Sequence, residues 1–452
     1  MPRLAAMTTE RQRLSVMEAL TLVRGDERAQ LALAFVYFFC VLGSYYVLRP
    51  IRDAMGIAGG TDDLPWLFLG TLLLTLIISP IFSALVARMP RARFVTWSYR
   101  GLMLCLLAFF AVIGLTDESQ QLWIGRVFYW WTSVYTVFAV SLFWAVMSDV
   151  FTPEQGRRLF AVVSAGGTLG GLVGSGITSL VADRFGILPL LLLSALMLEI
   201  GLRAMRALGV RAATRDHTQA QREREIIGGS ALAGFRLMVG SPYLLGIAGF
   251  MTLYTIGSTF LYFLQADIVA AAVPDRAARS ALFAQIDVWA NAATLLMQVF
   301  VSAHLLNRFG IAIALCVLPL LSTLGYLALG VAPVIAVVIA FQSIRRMGNF
   351  ALTQPARENL YFPLPRETRY KAKNLIDTFM FRAGDQIGAW THTGLGLLGL
   401  TASGISFVAA PISALWLLLA IWLGRAHRRL VAAQAASTPL PTQEANHAHH
   451  AS

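Results

Sequence analysis

The sequence predicts an all-α polytopic membrane protein, with twelve transmembrane helices in two pseudo-symmetric six-helix bundles. Three observations carry that expectation. Of the 452 residues, 57% are hydrophobic and 13% charged, against the roughly 25% charged residues of a soluble domain, and the mean hydropathy is +0.65. The apolar residues form long blocks, each near the ~20 residues a helix needs to cross a bilayer. They do not show the alternating ~10-residue segments of a spanning β-barrel. Finally, one long polar stretch, residues 208–242, separates six apolar blocks from six.

Residues 1–29 are polar and helical in pattern. They lack a short apolar core before a small-residue cleavage site, so no cleavable signal is expected. Spans are expected at 30–49, 64–87, 94–115, 122–148, 161–182 and 187–207, forming a first bundle over 30–207. After the linker 208–242, the second bundle covers 243–425, with spans at 243–265, 281–306, 311–330, 332–353, 373–398 and 404–424. The tail 426–452 turns to Ala, Thr, Pro, Gln and His, a composition that cannot build a core and is expected to be disordered.

Loop charge orients these spans. Arg88, Arg91 and Arg93 follow the second span, and Arg157 and Arg158 the fourth. The linker holds Arg211, Arg215, Arg222, Arg224 and Arg236, and Arg425, Arg428 and Arg429 follow the twelfth span. The odd-numbered loops are poorer in basic residues, and the first holds Asp62 and Asp63. The positive-inside rule then places both termini in the cytoplasm, in a multi-pass protein of the cell (inner) membrane. It also accounts for the net charge of +12, which in a soluble chain would suggest a nucleic-acid polymer as partner. Cys40, Cys105 and Cys316 lie inside apolar blocks and suggest no disulfide framework.

The halves share short matches. At an offset of 214, Gly43-Ser44 aligns with Gly257-Ser258 and Asp53 with Asp267; near that offset, Pro153 and Arg157 align with Pro365 and Arg369. Duplicated halves around a midplane site are the major facilitator architecture. In the fifth span, Gly166, Gly170 and Gly174 recur every four residues, the small-residue spacing of close helix packing. The Gly-Lys-Ser/Thr ending of a phosphate-binding loop is missing there.

Charges within apolar blocks are the candidate functional residues, because each costs at least about 2.5 kcal/mol in hydrocarbon unless it faces water or a partner. The first span ends with Arg49, Arg52 and Asp53, which share a face if the helix runs through Pro50. Tyr46 precedes them. Arg126 and Asp149 lie in the fourth span, and Arg345 and Arg346 deep in the tenth. Arg382 and Asp385, three residues apart in the eleventh, can pair with each other. Asp287 with Asn291, and Glu199, are the remaining polar candidates. Several guanidinium groups around one aqueous cavity favour an anion, whose phosphate or carboxylate oxygens they bind two at a time. The open alternative is that they are interfacial side chains or structural ion pairs. No nucleophile–base pair, metal-ligand spacing or dinucleotide fingerprint stands out, so neither an enzyme nor a bound metal or cofactor is expected.

One segment carries a family resemblance. Gln354 to Pro365 contains Arg357-Glu358, Tyr361 and Pro363-Leu364, and is followed by Lys371, Lys373 and Asp377. It resembles the ATP/ADP translocase family of intracellular bacteria and plastids, a branch of the major facilitator superfamily, with its Lys-Glu-x-x-Tyr-x-Pro-Leu and Lys-Ala-x-x-Asp stretches. Lys371 and Lys373 are the two lysines of the chain. Leu48-Arg49-Pro50-Ile51-Arg52-Asp53 resembles the family's Leu-Arg-x-x-Lys-Asp; Arg52 stands where the family's nucleotide-linked lysine falls. The resemblance implies a secondary active antiporter of a small anionic, phosphorylated solute, with a nucleotide such as ATP or ADP as first candidate; a monomer in the lipid bilayer is expected. Arg49, Arg52, Arg345, Arg346, Arg126 and Tyr46 would then hold cargo, while Asp53, Arg357, Glu358, Lys371, Lys373, Asp377, Arg382 and Asp385 would pair or gate. The alternative is a proton-coupled transporter or efflux pump for another small molecule, with Glu199, Asp149 or Asp287 as its acid.

Overall fold

The computed structural model describes residues 23–88, 91–213, 231–300, 302–365, 368, 372–373 and 375–437. Among them the chain is helical throughout, without strands. The helices are α1 (Arg28–Gly56), α2 (Leu64–Arg88), α3 (Arg91–Leu115), α4 (Glu118–Val150), α5 (Pro153–Phe185) and α6 (Leu188–Ala213). A short α7 (Ala231–Val239) precedes α8 (Pro242–Ala272), α9 (Arg276–Phe300), α10 (Ser302–Val331), α11 (Ile335–Gly348) and α12 (Gln354–Leu360). The series closes with α13 (Phe381–Leu397) and α14 (Ala402–Ser437). Nine helices among the described residues are long and apolar enough to cross a membrane. The chain is thus a multi-pass membrane protein.

Local signals explain the boundaries. Thr152 caps α5: its hydroxyl accepts from the Gln155 backbone N–H, and the Gln155 side chain accepts from the Thr152 N–H, with Pro153 at the first helical position. At α8 the Ser241 hydroxyl accepts from the Leu244 backbone N–H, and Pro242 takes the first helical position. Gly186, at φ 73°, ends α5 in a conformation that side chains resist. Pro50 stays inside α1, which continues to Gly56; neighbouring helices and polar side chains make such prolines tolerable in membrane helices.

Two kinds of backbone feature interrupt the helices of the second half. The chain breaks at Gly310, whose φ of 72° is non-helical, between the stretches expected to span at 281–306 and 311–330. Beyond α11, residues Asn349–Thr353 form a π-turn, and a second π-turn, Ile376–Met380, leads into α13. Such wide turns often mark functional positions.

Packing gathers α1, α3, α4, α5 and α6 around one apolar core, with Leu295 and Val299 of α9 against its edge. A second core joins the C-terminal end of α1 and the start of α2 to α8, α9, α10, α11, α13 and α14. A third lies among the other ends of α8, α10, α12 and α14. The glycines of α5 let α1 approach closely: a Cβ on Gly170 would run into the Phe39 carbonyl, and one on Gly174 into the Gly43 carbonyl. Large apolar side chains face outward instead, among them Leu104 of α3, Leu180 of α5, Leu324 of α10 and Leu418 of α14. An exposed apolar patch on that scale suits lipid, not water.

Candidate functional site

Four arginines converge where α1, α8, α9 and α11 meet. Helical spacing sets the first pair: Arg49, Arg52 and Asp53 follow one another around the last turns of α1. Arg345 and Arg346 follow Ile335 by ten and eleven residues, about 15 Å along the helix and near the middle of a ~30 Å hydrocarbon core. Asp287 of α9 ties the two sets together. Its Oδ1 accepts from Arg49 at 2.7 Å and from Arg346 at 2.5 Å. Asp53 accepts from Arg52 at 2.6 Å and from the Tyr262 hydroxyl of α8 at 3.0 Å. Arg49 approaches Asp53 at 3.9 Å.

Aromatic rings complete the surroundings. The Arg52 guanidinium lies 5.0 Å from the Tyr129 ring, and Arg49 5.8 Å from the Tyr46 ring, distances at which cation and π-face attract. Tyr46 and Asn291 both close in on Gly171, which has no side chain to keep them off. Arg345 differs from the others. Its donors go to the Ser258 hydroxyl at 2.9 Å and the Tyr254 carbonyl at 3.2 Å, and its guanidinium lies 5.3 Å from the Tyr254 ring. Its Nε is buried without a partner, and among the described residues no carboxylate pairs with it. Only 5% of Arg345 is exposed. The side chains of Arg49, Arg52 and Arg346 are 12–16% exposed. These arginines point into the protein, not toward lipid headgroups.

The charge count is therefore uneven. With both carboxylates ionised, Arg49, Arg52 and Arg346 meet Asp53 and Asp287, an excess of one positive charge, and Arg345, held on α8 without a carboxylate partner among the described residues, adds a second. Buried unpaired charge is costly, and an anion brought to this point would offset it. Asp287 Oδ2 and Asn291 Nδ2 are also buried without partners.

The other predicted residues sit elsewhere. Arg126 is apart from the cluster, paired with Asp63 at 2.5 Å and stacked over Trp123 at 4.5 Å. Arg382 pairs with Asp385 at 3.5 Å on α13, and Asp385 accepts from Thr259 of α8 at 3.3 Å. Lys373 pairs with Glu358 at 2.5 Å and lies 5.9 Å from the Tyr361 ring. Asp377 has Arg357 and Lys373 as charged neighbours, but its Oδ1 is without a hydrogen-bond partner, as is Arg357 Nε. Lys371 lies outside the described residues. Glu199 is engaged by Arg203 and Arg100. Sequence reasoning did not single out Tyr129, Tyr254, Ser258 or Tyr262. Of these, Ser258 alone had a signal, its alignment with Ser44 in the repeat.

At the end of the bundle where α1 finishes, side chains close across it. The Tyr129 and Tyr262 hydroxyls meet at 3.4 Å, the Trp66 and Trp390 rings at 5.1 Å, and Gln386 reaches the Pro65 carbonyl at 3.5 Å.

No family model matches the chain. Among solved structures, it is similar to a POT family transporter in complex with a thioalcohol-conjugated peptide, with TM-score 0.60 and 13% identity over 87% of this chain and 96% of that one. A POT family transporter in complex with 5-aminolevulinic acid matches with TM-score 0.59 and 12% identity, over 88% and 96%. The chain thus shares the fold of these transporters, in a multi-pass membrane protein. Its curated relatives are carriers, not enzymes. In particular, the chain is a distant homologue of bacterial ADP,ATP carriers. It is 22% identical to ADP,ATP carrier protein 1 of Chlamydia pneumoniae over 86% of this chain and 90% of that protein. It is 20% identical to the Chlamydia trachomatis protein of the same name over 86% of each.

Proposed function

We propose that this chain is a secondary active transporter for an anionic, phosphorylated metabolite, with a nucleotide such as ATP or ADP as first candidate. The observation that carries the reading is the buried excess of guanidinium over carboxylate at Arg49, Arg52, Arg345 and Arg346. The relatives named ADP,ATP carriers support the choice of nucleotide. In this reading the helices form twelve spans. α11 through α12 is the tenth and the second π-turn with α13 the eleventh, in two six-helix bundles over 30–207 and 243–425, with both termini in the cytoplasm of a cell (inner) membrane.

Transport proceeds by alternating access, the bundles rocking about the arginines. Phosphate oxygens take the guanidinium donors two at a time, and Tyr46, Tyr129 and Tyr254 offer faces to the rest of the solute. Asp53 and Asp287 hold Arg52, Arg49 and Arg346 between cargo-bound states. In this reading the Tyr129–Tyr262 and Trp66–Trp390 contacts seal the outer end of an inward-facing carrier. Arg357, Glu358, Lys373 and Asp377 stand at the inner end as gating charges. The efflux reading loses ground, because Glu199 and Asp287 already serve arginines.

Counterflow in proteoliposomes tests this. Vesicles loaded with ATP should take up labelled external ADP, and Arg345→Gln or Arg346→Gln should lower uptake at least about tenfold, the loss expected when a charged hydrogen bond is removed. If no nucleotide or other organic phosphate is taken up at any pH, the reading is wrong.

A further inference from the structure

A cavity away from the arginine cluster has no part in the reading above. It lies between α10 and α14, with a volume of about 340 Å³, and is lined by residues 310–313, Cys316, Ile421, Arg425, His427 and Arg428. That volume is at the small end of ligand sites. We propose that it is a binding site for the phosphate headgroup of an anionic phospholipid.

Its construction follows from two local features. Gly310 interrupts α10 with a φ of 72°, and the helix restarts at Ile311. The amides of that first turn carry the positive end of the helix dipole, which favours an anion. On the facing helix, Gly424 lets Ala312 come close, as a Cβ there would sit 2.8 Å from the Ala312 Cβ. One turn on, Arg425 and Arg428 are three residues apart and share a face. Both are exposed, and neither has a partner among the described residues.

The choice of a lipid over a soluble phosphate rests on the walls. Ile311, Ile313, Cys316 and Ile421 make the cavity apolar below the arginines. Ile313 is 53% exposed and continues into the outward-facing Leu320 and Leu324 of α10 and Leu415 and Leu418 of α14. A phospholipid uses both parts, with its phosphate between the arginines and its acyl chains along that apolar face. A free phosphate would leave the apolar wall unused. The site also touches the gate. His427 is buried and its Nδ1 lies 3.0 Å from the Tyr243 hydroxyl, which donates to the Leu360 carbonyl at the end of α12 at 2.8 Å. Headgroup occupancy is thereby connected to the helix that carries Arg357 and Glu358.

Native mass spectrometry of the full chain, released from nanodiscs of equal phosphatidylglycerol and phosphatidylcholine, tests the site without reference to transport. The wild type should retain phosphatidylglycerol in preference to phosphatidylcholine. The R425Q/R428Q double variant should retain about tenfold less of it, since two basic residues are lost at an anionic headgroup. R93Q/R206Q removes two exposed arginines elsewhere and should behave as wild type. Equal retention of the two lipids by the wild type, or equal loss in both double variants, would overturn the proposal. So would displacement of bound lipid by millimolar inorganic phosphate.

Discussion

Asp287 serves two arginines with one oxygen, and its other oxygen is buried without a partner. The carboxylate is thus the linchpin between α1 and α11, and the group an incoming anion would replace. Asp287→Asn should cost about 3 kcal/mol in detergent unfolding, because it leaves two buried cations uncompensated. Arg126→Gln breaks a partly exposed pair, and should cost under about 1 kcal/mol. Glu27, just ahead of α1, gives a pH-dependent contrast. Burial alone would raise its carboxyl, but hydrogen bonds from Arg158, Gln155 and the Arg24 N–H outweigh that and hold it below its ordinary 4.5. A depressed folded-state carboxyl stabilises fully above the ordinary value, and that stabilisation fades as pH falls through the folded one. The stability gap between wild type and Glu27→Gln should therefore be present at neutral pH and shrink below about pH 4; a gap independent of pH would show that the carboxylate charge contributes nothing.

At the scale of elements, the contact between α1 and α5 depends on missing side chains. Gly170→Ala places a methyl group against the Phe39 carbonyl, and backbone against backbone has no rotamer to give way. Its expected cost is about 2 kcal/mol. Gly176, on the same helix, has nothing within 4 Å of a Cβ. Gly176→Ala should be neutral or stabilising by up to about 1 kcal/mol through helix propensity. Thermal unfolding of the two variants separates the explanations, since equal effects would mean that helix propensity and not close packing sets the cost. Helix boundaries show what hydropathy can and cannot read. The blocks were visible because bilayer thickness demands a minimum apolar length. The π-turns at Asn349–Thr353 and Ile376–Met380 were not, because they change backbone hydrogen bonding without changing composition.

At the scale of the whole molecule, the same distinction governs the site. Arg49, Arg52, Arg345 and Arg346 stood out because charge within apolar sequence is rare and costly. Tyr254, Ser258 and Tyr262 did not, since uncharged polar residues occur throughout membrane helices and gain meaning only from the helix opposite. Arg126 carried the same sequence signal as Arg49, and only the fold separates them. One is paired at the rim with Asp63; the other is joined through Asp287 to α9 and α11. Fold and site together place a surplus of positive charge where two sets of helices meet.

Ligand-dependent stability of the purified protein measures that surplus most directly. A ligand bound only by the folded state stabilises it by about 2.7 kcal/mol at a hundred times its dissociation constant. Nucleotides or other organic phosphates should raise the unfolding temperature of the wild type, uncharged and cationic solutes should not, and the rise should vanish in Arg345→Gln and Arg346→Gln. A full shift in both variants, or no shift with any anion, would contradict the account.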